Sequence, residues 1–184
     1  MLVKECMELA AVNLGIEDAL QNFFSGEGTA EDNKKGELLL TCFNIVENEL
    51  ALDYFPLLGE DTLTSDGGVI AFSSLSKPAV RITKVTDKWG NSVPFQLFPG
   101  YVKTQPGEVC VTYTYAPVKK TLPDESDFSA LVPARLIACG MAAEYTMATG
   151  LFEDAAVWDK KYKENIRAAY RLQKCERIRS RRWV

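Results

Sequence analysis

The 184-residue chain contains no histidine, and this absence excludes several kinds of site. Ser-His-Asp and Cys-His catalysis need an imidazole as general base, and zinc sites of the H-E-x-x-H type need it as a ligand. Enzymes that work with carboxylates or lysine remain as an alternative. Because the chain also lacks motifs for phosphate and calcium, we expect no enzymatic activity, no bound metal and no cofactor.

Motifs for phosphate, calcium and membranes are missing too. No glycine pattern of the G-x-G-x-x-G or G-K-[ST] kind is present, and no D-x-D-x-D-G calcium loop occurs. No apolar run approaches the roughly 20 residues that span a bilayer. The beginning of the chain, with Lys4 and Glu5 and no long apolar stretch, predicts no signal peptide.

Cysteine is present but in no recognisable arrangement. The five cysteines are odd in number, widely spaced and never form C-x-x-C. We expect reduced and mostly buried thiols, as in a cytosolic protein.

The chain does have a strong asymmetry of charge. Residues 160–184 hold ten Lys/Arg and two Asp/Glu, whereas residues 1–159 hold eleven Lys/Arg and twenty-three Asp/Glu. The last part therefore carries a net charge of +8 and the rest −12. Such an asymmetry is typical of a segment that meets something acidic: nucleic acid, an acidic protein, or the acidic body of a second copy.

The basic residues of the last predicted helix fall on one side of it. Lys160, Lys163, Arg167, Arg171 and Lys174 lie roughly 150° around the helix from an apolar stripe, at about 100° per residue. One interpretation is a solvated helix face with a frayed end. The other is a docking element, because many like charges repel unless a partner neutralises them. An acidic body repels DNA, so protein docking is favoured over DNA binding.

Hydrophobic periodicity predicts a mainly α fold with a β insertion. Helices are expected at 3–14, 17–24, 30–54 and 133–149, with a last one from about residue 153. Gly15, Thr29, Pro56 and Gly150 supply the start and stop signals. The helix at 133–149 is rich in small residues, which let a second helix approach closely.

The middle of the chain alternates with period two, which predicts four or five short antiparallel strands in a sheet or sandwich. The predicted organisation is N-terminal core helices at 1–65, a β-rich insertion at 66–118, a C-terminal helical hairpin at 119–176, and a basic docking tail at 177–184. Not counting the short piece at 17–24, the insertion lies between helices two and three of a bundle built from both chain ends.

Other candidate sites are weaker. Four pairs of neighbouring carboxylates occur, but neighbours in sequence mostly point apart, so we interpret them as helix-start or solubilising charges: Glu47/Glu49, Glu60/Asp61, Asp124/Glu125 and Glu153/Asp154. Tyr113, Tyr115 and Trp89 could stack nucleic-acid bases, but packing in the core of the insertion or in a subunit contact is favoured.

The order of these elements resembles the head–tail connector (adaptor) proteins of tailed bacteriophages. The stretch from Ala130 to Tyr145 is similar to the family's third helix, in which Leu-x-Pro opens an Ala-rich segment. A turn at 149–154 and the Trp158/Tyr162 spacing resemble the turn and last helix. The stretches 80–90 and 109–117 resemble the family's β hairpin and closing V-x-V-x-Y strand.

The resemblance implies a structural virion protein without enzymatic activity, located in the phage neck and, during assembly, in the host cytoplasm. Such proteins form rings, here expected to hold twelve copies, that bind under the portal and connect the DNA-filled head to the stopper or tail-completion protein. DNA would pass through the channel without specific binding, and no membrane is involved.

The same resemblance implies roles for the basic residues. The portal-docking candidates are Lys174, Arg177, Arg179, Arg181, Arg182 and Trp183. The charge pattern of the helix, without the resemblance, makes Lys160, Lys163, Arg167 and Arg171 possible subunit or DNA contacts. The alternative function is a DNA-binding or DNA-packaging accessory protein that uses this basic helix.

Overall fold

A computed structural model describes residues 1–128 and 132–173, without the side chains of residues 171–173. The fold is α+β, with antiparallel sheets between helices, which confirms the predicted class. The helices in this part of the chain are α1 (Val3–Leu14), α2 (Glu17–Ser25), α3 (Ala30–Glu49), α4 (Ala134–Ala148) and α5 (Phe152–Gln173).

Local signals set the ends of these helices. Gly15 adopts the left-handed conformation (φ 67°) and ends α1. Thr29 caps α3, since its Oγ1 accepts a hydrogen bond from Asp32 N (3.2 Å) while the Asp32 carboxylate accepts one from Thr29 N (3.1 Å). The backbone N–H of Thr29 is the main reason that the pKa of Asp32 lies below its ordinary value. A π-helical turn at Leu50–Tyr54 continues α3 toward Pro56.

The chain divides into two compact units. The helical unit consists of residues 1–46 and the described residues from 120 onward, and the β unit consists of residues 47–119. The β segment thus enters and leaves between α3 and α4, and each unit has buried apolar residues of its own.

The helical unit is organised round α4, which packs against both α1 and α5. Its large, fully buried side chains include residues of α1, α3 and α4: Val3, Met7, Leu39, Phe43, Val46, Leu136, Ile137 and Met141. No helix within residues 1–128 and 132–173 is both long enough and apolar enough to cross a membrane.

The connection into α4 is tied down by side chains of this unit. Asn44 Oδ1 accepts a hydrogen bond from Lys120 N (2.6 Å), and Asn44 Nδ2 donates to Lys120 O (3.2 Å). Lys120 also forms a largely buried ion pair with Asp127 (2.7 Å). These contacts hold Lys120, where the chain re-enters the helical unit, against α3. Pro133 follows and directly precedes α4.

Six strands form two antiparallel three-stranded sheets in the β unit, where a sheet or sandwich of four or five strands was predicted. The strands are β1 (Leu57–Ser65), β2 (Val69–Ala71), β3 (Ala79–Asp87), β4 (Gln96–Phe98), β5 (Tyr101–Lys103) and β6 (Gly107–Tyr115). The larger sheet has the order β1-β6-β3 and the smaller the order β2-β5-β4.

The strand β1 precedes residue 66, where the β-rich insertion was predicted to start. Its inward positions include Gly59 and Asp61, which are not apolar, while Leu58 faces outward and is 67% exposed. The alternation that usually reveals a half-buried strand is therefore blurred. Both residues can face inward because they contact one side chain that lies far from them in sequence.

That side chain is Tyr113 on β6, which is fully buried in the core of the β unit. Its hydroxyl donates to Asp61 Oδ2 (2.7 Å), and Ser76 N donates to the same oxygen (2.7 Å). Burial raises the pKa of Tyr113, which keeps the phenol a donor. Gly59 makes room for the ring, because a Cβ there would lie 2.9 Å from the Tyr113 ring.

Candidate functional site

The helix α5 is fixed in the helical unit by a close approach to α4. One side of α5 is buried, through Ala155, Tyr162, Ile166 and Ala169. Opposite it stands Gly140, where a Cβ would lie 2.8 Å from Val46 Cγ1 and 2.9 Å from Tyr162 Cε2. The small-residue helix thus lets its neighbour approach closely, as its composition predicts.

The opposite side of α5 is basic and exposed. We call Lys160, Lys163 and Arg167 the basic face, and all three are exposed to solvent. Lys163 forms an ion pair with Asp159 one turn earlier (Nζ to Oδ2, 2.7 Å). Lys160 and Arg167 form no ion pair with any residue of the described segments. The helix therefore presents positive charge outward, in the arrangement that its periodicity predicts.

The remaining predicted docking residues cannot be placed beside this face. Arg171 lies in the last turn of α5, and its side chain is outside the described part. The candidates at the end of the chain lie outside the described residues altogether: Lys174, Arg177, Arg179, Arg181, Arg182 and Trp183.

A groove on another side of α5 was not predicted from the sequence. It has a volume of about 240 Å³ and is lined by residues of α1, α4 and α5. These residues define the polar groove: Asn13, Arg135, Cys139, Trp158, Lys161, Glu164 and Asn165. A wider hollow of about 410 Å³ continues from it and shares Asn13 and Trp158.

Part of this groove carries a signal in the sequence. Trp158, Lys161 and Asn165 follow one another at the i, i+3, i+7 spacing that marks one side of a helix. Arg135 and Asn13 lie far from them in sequence, so nothing in the pattern indicates that three helices converge there.

Two of the four carboxylate pairs have orientations that do not suit a shared catalytic cleft. Glu60 and Asp61 face opposite sides of β1. Asp124 accepts hydrogen bonds from Thr121 N (2.7 Å) and so organises its own turn. Within residues 1–128 and 132–173, no three Cys, Asp or Glu side chains gather as metal ligands.

The cysteines of the described segments form no disulfide, and three of the four are buried: Cys6, Cys42 and Cys139. Burial, helped by the charge of Glu144, raises the pKa of Cys42 to about 12. Cys110 is partly buried, and its thiol donates to Glu60 Oε1 (2.9 Å). Burial also raises the pKa of Cys110, and the raised pKa values leave the Cys42 and Cys110 thiols unreactive at neutral pH, because the thiolate is the nucleophile.

The three aromatic candidates have different environments in the structure. Tyr113 packs in the core of the β unit as favoured, and Tyr115 packs partly against that core. Trp89 does not: it is 74% exposed at the tip of a turn in which Asp87 Oδ1 accepts hydrogen bonds from Trp89 N and Asn91 N (both 2.9 Å). The turn is held by polar contacts and leaves the indole outside.

Comparison with known proteins adds no assignment. No protein-family model matches this chain, and no curated protein matches it. The resemblance to the phage connectors therefore stays an expectation that depends on the quoted motifs.

Proposed function

We propose that this chain is a structural protein of a tailed-phage neck. Its copies form a ring under the portal and connect the DNA-filled head to the stopper or tail. In this proposal the protein belongs to the virion, and it has no catalytic function.

The observation that carries the proposal is the exposed basic face at the end of an otherwise acidic chain. Lys160 and Arg167 have no carboxylate partner in the described segments, although the chain up to residue 159 has an excess of twelve acids. A helix whose buried side is fixed by Gly140 and Tyr162 holds its charges in one direction. Such a surface is suited to an acidic protein partner.

Two further features support this function. The α+β architecture, with a small-residue helix after Pro133 and a last helix carrying Trp158 and Tyr162, has the order of elements that the resemblance requires. The acidic excess of the body also suits a channel, since DNA moves through a passage more freely when the walls repel its phosphates.

The test is co-purification of the chain with the portal protein of the same phage. We expect full-length protein to bind the portal ring, and protein lacking residues 176–184 to bind much more weakly. A Lys160→Gln, Lys163→Gln, Arg167→Gln variant separates the basic face from the end of the chain. Binding to portal that survives the truncation would make the docking assignment wrong.

A titration with duplex DNA at several salt concentrations distinguishes the alternative of a DNA-binding accessory protein. Affinity that falls steeply with salt, in proportion to the number of phosphates neutralised, would support that alternative. We expect weak binding at low salt that disappears near physiological ionic strength.

A further inference from the structure

The polar groove contains two cations, Arg135 and Lys161. Arg135 and Lys161 form no ion pair with any residue in the described ranges 1–128 and 132–173. Both are exposed at the rim, and Lys161 Nζ lies 4.1 Å from the centre of the Trp158 ring, which fixes its position.

Cys139 lines the same groove as the two cations and forms part of its floor. Burial raises the pKa of Cys139, and the charges of Arg135 and Lys161 each oppose that rise. The Cys139 side chain accepts a hydrogen bond from Asn165 Nδ2 (Nδ2 to Sγ, 3.4 Å). The positive fields therefore converge over a polar floor, where an anionic group would find charge and amide donors together.

The continuation of the groove is more apolar. The wider hollow is lined by Leu14, Ile16, Tyr145 and Leu151, and Trp158 forms a wall common to both parts. A ligand that fills both parts would need a negative charge next to an apolar group.

Two carboxylates also line these hollows and limit what can bind. Glu164 lies in the polar groove and Asp154 in the wider hollow. A nucleic acid carries a charge at each successive phosphate and would meet both carboxylates. A single carboxylate on a polypeptide can approach the two cations and avoid them.

The exposed rim also decides between a small molecule and a polypeptide. Arg135, Lys161 and Glu164 are all exposed, so a small ligand would remain largely open to water, whereas small-molecule sites usually bury most of their ligand. A segment of a larger partner gains contacts on both sides of the groove.

We propose that the polar groove binds a short acidic segment of a partner protein, with one Asp or Glu carboxylate between Arg135 and Lys161 and the next apolar side chain beside Trp158. This inference does not depend on the neck role, because only the residues of the groove and its hollow carry it.

The experiment uses the full chain with ¹⁵N-labelled tryptophan and follows the indole N–H resonance of Trp158, assigned with Trp158→Phe. The probe is an acetylated and amidated peptide, Ser-Gly-Glu-Leu-Phe-Gly-Ser, and the matched control peptide has Gln in place of Glu. We expect the Glu peptide to shift the resonance saturably in the millimolar range, and the Gln peptide to bind at least about threefold more weakly.

Variants locate the site. Arg135→Gln combined with Lys161→Gln should weaken binding of the Glu peptide by about threefold or more, since two exposed charge contacts are lost. Lys34→Gln, an exposed lysine of α3 that lines neither the groove nor the basic face, should leave the affinity unchanged. All three positions are exposed, so these variants are expected to fold.

Four outcomes would overturn the inference. They are no saturable shift of Trp158, equal binding of both peptides, an equal loss with Lys34→Gln, or a shift by inorganic phosphate or a single-stranded oligonucleotide that matches the peptide in size and affinity. The last would assign the groove to a free anion or to nucleic acid.

Discussion

The helical unit packs by the close approach of helices over small residues, whereas the β unit builds its core round one hydrogen-bonded tyrosine. In the first, the absence of a side chain at Gly140 lets Tyr162 and Val46 approach α4 closely. In the second, Tyr113 is fully buried, and Asp61 and Ser76 share its hydroxyl network.

The difference shows how each unit responds to change. Close packing fails when atoms are added, because interiors have no spare volume. A hydrogen-bond network centred on a buried side chain is weakened when one member is removed, because the remaining members lose hydrogen bonds. Four variants break or sharpen this contrast.

The largest effect is expected in the β unit from Tyr113→Ala. Loss of a fully buried aromatic ring should lower the free energy of unfolding by about 3–5 kcal/mol. Chemical denaturation, with hydrogen exchange resolved to residues 47–119, measures it. Thr112→Ala, the neighbour on the opposite face of β6, is the control and should cost less than about 1 kcal/mol. Equal losses of stability in the two variants would contradict the central position of Tyr113 in the β unit.

A smaller loss is expected in the helical unit from Gly140→Ala. Alanine favours a helix over glycine by about 1 kcal/mol, yet its Cβ would overlap Val46 and Tyr162. We expect a net loss of about 1–3 kcal/mol in the free energy of unfolding. The cost should shrink in a Val46→Ala background, as a double-mutant cycle would measure. A variant more stable than the parent would show that close approach is not what holds the two helices.

The pH dependence of the β unit tests Asp61. Burial raises the pKa of Asp61, but hydrogen bonds from Tyr113 and Ser76 outweigh this and hold it below the ordinary value of 3.8. Because the folded pKa is the lower one, the stabilisation is complete above the unfolded pKa and is lost as pH falls through the folded pKa.

Asp61→Asn keeps an acceptor but not the charge, so at neutral pH it should lower the free energy of unfolding by about 1 kcal/mol. Unfolding of parent and variant followed from pH 7 down to about pH 2 should show the two curves converging at the acid end. A constant gap would mean that the Asp61 charge plays no part.

The smallest effect on stability is expected from the basic face. The Lys160→Gln, Lys163→Gln, Arg167→Gln variant should change the free energy of unfolding by no more than about 0.5 kcal/mol, because exposed charges and the Lys163–Asp159 pair contribute little. Ile166→Val, on the buried side of α5, is the control and should cost about 0.5–1.5 kcal/mol. A large loss from the triple variant would assign these residues to the fold rather than to a partner.

The helices and the basic face were predictable from the sequence because their signals are local. Caps such as Thr29 and Gly15 act within one turn, and a stripe of like residues on a helix depends only on the 3.6-residue period. The α+β class followed from the change of period in the middle of the chain.

Three features depend on the tertiary structure alone and could not be predicted from the sequence: the strand β1, the exposure of Trp89 and the polar groove. Asp61 can face inward on β1 because Tyr113, 52 residues away, supplies its hydrogen bond. The groove likewise joins Asn13, Arg135 and Trp158 from three helices. Contacts between distant residues produce no periodic pattern in a sequence. Each side chain is compatible with several environments, and tertiary packing determines which of them it has.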